Sequence, residues 1–126
     1  MVTAIRSGGV ILDLQVIRPN PHVESASELI CEIDGEPLLQ QADAATAAVD
    51  ALIRSGRLIQ EATDDHDVRK HYPNGTDLVD DFEGKARSIP KEALPRLHAI
   101  TQSLVVREHC RLRRLVVASD FATAGD

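Results

Sequence analysis

Ile30-Cys31-Glu32-Ile33-Asp34-Gly35-Glu36-Pro37-Leu38-Leu39 is the stretch on which the reading of the chain turns. Asp34-Gly35 is flanked by short alternations of apolar and polar residues, and a type I′ turn needs φ > 0 at both central positions, which Asp and Gly tolerate cheaply. The stretch therefore reads as a β-hairpin. Its first strand runs from about Glu28 to Ile33 with Leu29, Cys31 and Ile33 on the buried face. Its second, beyond Gly35, contains Pro37, which cannot donate to a ladder and so belongs to an edge strand or a bulge. An exposed edge at Pro37 to Leu39 would pair with a second copy, giving a homodimer through an edge strand.

Upstream, Val10, Leu12, Leu14 and Val16 recur at a period of two, one face of a strand, and that face is expected in the core. Arg18-Pro19-Asn20-Pro21 ends the strand, because two prolines within three residues remove ladder donors. Downstream the period changes. Ala45, Ala48, Val49, Leu52 and Ile53 form one stripe of a helix from Asp43 to Ser55, with Asp43 as N-cap and Gly56 in the left-handed position that ends it.

Glu61 to Glu83 holds eight acids around Tyr72-Pro73-Asn74-Gly75-Thr76, a turn signal in which Gly75 takes φ > 0. This segment reads as an exposed acidic excursion, a second hairpin with its tip at Asn74-Gly75 and one helical turn near Leu78 to Phe82. Pro90 opens a further helix, Pro90 to about Glu108, and Arg114 to Ser119 reads as a strand. The fold class that follows is α+β: an antiparallel sheet of three to five strands with two main helices packed on one face. The chain reads as a single domain, 1–126, with a frayed tail from 120.

Composition excludes several function classes. The chain has 126 residues, a formal charge of −6 and only 2% aromatic residues. Stacking of bases on aromatic rings is therefore poorly supported, and the sign of the charge opposes neutralisation of many phosphates, so nucleic acid is not the expected partner. Two distant cysteines, Cys31 and Cys110, do not form a secreted disulfide framework. No apolar run has the length of a signal core or a membrane span, so a cytoplasmic protein without a membrane partner is expected.

Two constellations have the residue types for chemistry. Asp65, His66, Asp67 and His71 combine carboxylates with imidazoles, donors that suit zinc, manganese or iron, but their spacing fits no metal motif: Arg69 and Lys70 stand where a calcium loop needs an oxygen ligand and a glycine. Cys110 with His98 or His109 as base could act as a nucleophile if Arg107, Arg111, Arg113 and Arg114 lowered its pKa. Neither carries a family signature, and no cofactor is implied. The arginines have a simpler use as partners for the acidic segment. The favoured expectation is a protein-binding module, of the kind an immunity protein, toxin inhibitor or accessory subunit supplies. In this reading Asp64, Asp65, Asp67, Asp77, Asp80 and Asp81 engage a protein with a basic surface. The alternative is a small metal-dependent or cysteine-dependent enzyme.

Overall fold

The structure, a computed structural model, describes residues 2–5, 8–85, 87–118 and 121–124, the first and last of these stretches as backbone alone. The elements are β1 (Val2–Ile5), β2 (Val10–Val16), β3 (His22–Glu24), β4 (Leu29–Glu32), α1 (Glu36–Arg54), β5 (Leu58–Tyr72), α2 (Gly75–Phe82), a 3₁₀ turn (Lys91–Ala93), α3 (Leu94–His98), β6 (Leu104–Val117) and β7 (Phe121–Ala124). Strands β2 to β6 form a five-stranded antiparallel sheet, and the class is α+β as expected.

The opening stretch is a strand running into a helix and not a hairpin. Gly35 has φ −102° and precedes α1, whose first turn contains Glu36 and Pro37. Proline is favoured there because the first helical N–H groups have no intrahelical acceptor to lose. The Asp34 carboxylate accepts from the Glu36 N–H, doing for the helix start what a turn would have done for a hairpin. The edge strand expected at Pro37–Leu39, and the dimer proposed through it, are therefore corrected: those residues are helical, with Leu39 buried. The far end of α1 is as expected, with Gly56 at φ +79° after the Ser55 cap.

The sheet is built around β6. Along one edge β6 pairs with β5 for its whole length, from Leu58↔Val117 to Tyr72↔Leu104. Along the other it takes β2 and then β3 end to end, and β4 adds outside β3. What reads as the second half of a long helix, Leu104 to Glu108, is the start of this strand; the helical part ends at His98. Likewise Asn74-Gly75 is no hairpin tip: β5 is one 15-residue strand, and the Asn74 side chain caps α2 by accepting from the Asp77 N–H at 2.8 Å. β1 and β7 pair in the register that β2 and β6 hold, so residues 121–124 of the expected frayed tail are in a ladder. Residues 120, 125 and 126 lie outside the described residues.

Burial along β6 changes sides, and this places the helices. Leu104, Val106 and Cys110 are buried at even positions, whereas Arg113, Leu115 and Val117 are buried at odd ones. Successive side chains point to opposite faces of a strand, so the two sets face opposite ways. The even face packs with Val23, Tyr72, Leu78, Phe82, Ala93 and Leu97, the layer of α2 and α3. The odd face packs with Leu58, Ile11, Val49, Leu52 and Ile53, under α1. The helices are thus divided between the two faces at opposite ends of the sheet instead of sharing one. Each layer leaves half of its face uncovered.

Candidate protein-binding surface

The uncovered half of the even face is apolar. Its rows, read across the sheet, are Val10, Val116 and Ile59, then Leu12, Arg114 and Ala62, then Leu14, Leu112 and Asp64. Leu12 is 66% exposed, Leu14 58% and Ile59 54%, so the alternation that predicted a core face on β2 has produced a solvent-facing one. The opposite face of β2 carries Ile11, Asp13 and Gln15, and α1 covers that face, with Ile11 packed under Val49, Leu52 and Ile53 and Arg113 joining Asp13 to Asp50 of the helix. On β4 the buried residue is likewise Ile30, while Leu29 is 60% exposed, since a register shift beside Val23 turns the strand.

The other uncovered half, on the odd face, is charged. Asp65 lies opposite Arg111 and takes two of its N–H groups at 2.7 and 2.9 Å. Asp67 accepts from Arg107 at 3.0 Å and lies 2.7 Å from His109 Nδ1. Arg107 also binds Glu24, which lies 3.1 Å from His22 Nε2. His22, Glu24, Asp67, Arg107 and His109 thereby form one network from three strands. Sequence spacing hid it, because β3 meets β6 only in the sheet. The Arg111 guanidinium holds Asp65 below the ordinary carboxylate range, and Arg107 does the same for Asp67 and Glu24. The hydroxyl of Tyr72, then Lys70 and Lys85, depress Asp81.

These shifts set a pH dependence. Carboxylates whose folded pKa is depressed stabilise the fold above their unfolded value, and that stability is lost as pH falls through the folded one. The urea midpoint should therefore hold steady through neutral pH and fall below about pH 4. An Arg107→Met variant should show a shallower fall, measured as midpoint against pH.

The six acids expected to meet a partner have separate fates. Asp65, Asp67 and Asp81 are engaged within the chain, and Asp77 sits in the first turn of α2. Asp80 is exposed on α2. The Asp64 side chain, 73% exposed, lies 3.1 Å from His66 Nδ1 and makes no other ion pair among the described residues. The four arginines are occupied: Arg107 by Glu24 and Asp67, Arg111 by Asp65, Arg113 by Asp13 and Asp50, Arg114 by Glu61.

The enzyme-like constellations do not converge. Asp65, Asp67 and His71 project from the odd face of β5, but His66 is on the even face opposite Cys110. Among the described residues no group of three His, Cys, Asp or Glu side chains could hold a metal ion. His98 ends α3, 3.2 Å from the Thr76 hydroxyl, at the rim of an open cleft of about 490 Å³ that Cys110 does not line. Burial pushes the Cys110 thiol up, Glu108 and Asp67 add to the effect, and Arg87 opposes it. The activating arginines expected around this thiol are spent elsewhere, Arg107, Arg111 and Arg113 on the other face of β6 and Arg114 on Glu61.

Among the described residues no helix is long and apolar enough to cross a membrane. Comparison with protein-family models, curated proteins and solved structures finds no match to this chain.

Proposed function

We propose that the chain is a protein-binding module that docks its partner on the open apolar end of the sheet. The observation that carries this reading is the three-strand patch of Val10, Leu12, Leu14, Ile59, Leu112 and Val116, contiguous apolar surface on the open end of the sheet, whereas Leu29 and Val68 are exposed singly elsewhere on it. Contiguous apolar surface of this kind marks interaction sites more often than scattered exposed residues do. Glu61 and Asp64 border the patch, and the chain's net charge is negative. The partner that fits is a protein with an apolar contact surface and a basic border, steered in by charge and held by apolar burial.

The acidic segment is then a rim and not the docking surface itself, since Glu61, Asp65 and Asp67 are already held by arginines of β6 and Asp81 by Tyr72, Lys70 and Lys85. A protein retained by the native chain should bind the folded Leu12→Glu variant at least tenfold more weakly, given that burying a leucine is worth about 1.5–3 kcal/mol. Asp64→Lys should chiefly slow association at low salt. Titration calorimetry and stopped-flow mixing with the purified partner measure the two effects. An unchanged Kd for Leu12→Glu would remove the patch from the interface.

A further inference from the structure

β5 is a 15-residue strand whose outer edge no other element pairs among the described residues. Edge strands are ordinarily kept short or interrupted by proline, because their free N–H and C=O groups template pairing with another chain. β5 contains no proline, and its one irregularity, at Glu61, lies near its start. From Asp64 onward it is a regular strand with an open edge. What distinguishes it is the order of its charges. Asp64, Asp65 and Asp67 are followed by Arg69 and Lys70, acid before base along one strand. A parallel neighbour of the same sequence would set like against like, whereas an antiparallel one sets acid against base.

From this we infer that two copies of the chain pair antiparallel through β5, in a register centred on Val68. A two-fold axis normal to the sheet requires one residue to lie opposite its own copy, which leaves few registers. Centring on His66 sets Asp65 opposite Asp67 of the second copy, and centring on Asp67 sets two carboxylates face to face. Centring on Val68 sets Asp67 opposite Arg69, Asp65 opposite His71 and Asp64 opposite Tyr72, each pair occurring twice. Like charges directly opposite in a ladder destabilise it and opposite charges support it, so the third register is favoured. Val68, 44% exposed, then meets its own copy on the axis. Arg69 completes the case: among the described residues it has no ion pair within the chain, although the neighbouring Arg107 has two. In the dimer it gains Asp67 of the second copy. The two sheets become one ten-stranded sheet, and the charges that admit a second copy discourage other strands.

The pairing is separate from docking on the apolar patch, and the two fail separately. Sedimentation equilibrium of the native chain should show a monomer–dimer equilibrium that weakens with added salt. Arg69→Glu, at a side chain with no ion pair among the described residues, should keep the fold and weaken the dimer at least about tenfold, because both charge pairs become repulsive. Val68→Cys should form an intermolecular disulfide under mild oxidation, since residues facing each other across a ladder lie about 4.5–5.5 Å apart, within disulfide range. Ile59→Cys, far from the axis, should not. A native chain that stays monomeric at millimolar concentration would overturn the inference. So would a dimer indifferent to Arg69→Glu, and one lost on Leu12→Glu would move self-association to the apolar patch.

Discussion

Gly75→Ala should destabilise the fold by about 3 kcal/mol or more, at or beyond the upper end of ordinary overpacking. A Cβ at residue 75 would come 1.7 Å from the Leu97 carbonyl oxygen and 2.6 Å from its carbon. Both are backbone atoms, so no side-chain rotation relieves the clash. Relief would require α2 to lift away from α3, but the Gly75 N–H is bonded to the Ile100 carbonyl at 3.0 Å, which ties the two segments at that point. Leu78 and Leu97, both fully buried, would lose their packing together. A drop in melting temperature of about 10 °C is expected for a chain of this size. Asn74→Ala, one residue earlier, removes only the cap on the Asp77 N–H and should cost about 1 kcal/mol. Chemical denaturation of the two variants side by side measures the difference. A loss of under 1 kcal/mol for Gly75→Ala would mean that the α2–α3 junction has slack.

Gly75 also shows where the sequence could and could not be read. Asn-Gly signals a turn because glycine tolerates φ > 0, yet glycine is needed here for lack of a side chain, and a close backbone approach leaves no local trace. Asp34-Gly35 misleads for a related reason. An acceptor followed by glycine and proline serves a helix start as well as a turn, and only the tertiary neighbours Asn20 and Pro21 separate the two. The amphipathic stripe of α1 and the glycine after it were legible, since helix period and cap are local properties. The face of β2 was not. Alternation tells which residues share a face, but which face is covered depends on α1 and β6, far along the chain. The same distance hid the network of His22, Glu24 and Arg107. The acids of β5 could be read as exposed, which they are; that the β6 arginines hold three of them follows from a pairing that joins residues 40 to 53 positions apart.

Asp13→Val should cost about 3 kcal/mol alone and almost nothing when combined with Arg113→Met. The Arg113 side chain is only 5% exposed. Its Nε lies 3.4 Å from Asp13, one terminal nitrogen donates to Asp50 at 2.7 Å, and the other is buried without a partner among the described residues. Removing Asp13 leaves a buried cation held by one half-exposed carboxylate, and stranding one member of a buried pair typically costs 3–5 kcal/mol. Removing both charges abolishes that penalty and also the orphaned donor, so the double variant should unfold at or above the native denaturant midpoint. A double-mutant cycle reads the coupling, and losses that merely add would show that the pair is not acting as a unit. The pair also bears on function. By apolarity alone the Val10, Leu12 and Leu14 face of β2 is the better one to bury, yet α1 covers the face that carries Asp13. Asp13, Arg113 and Asp50 tie α1 to that face, and the leucines of β2 stay exposed. The double variant, stable but without this constraint, should bind the partner more weakly than the native chain while melting no earlier. Unchanged affinity would mean that Ile11, Val49, Leu52 and Ile53 hold α1 in place without the ion pair.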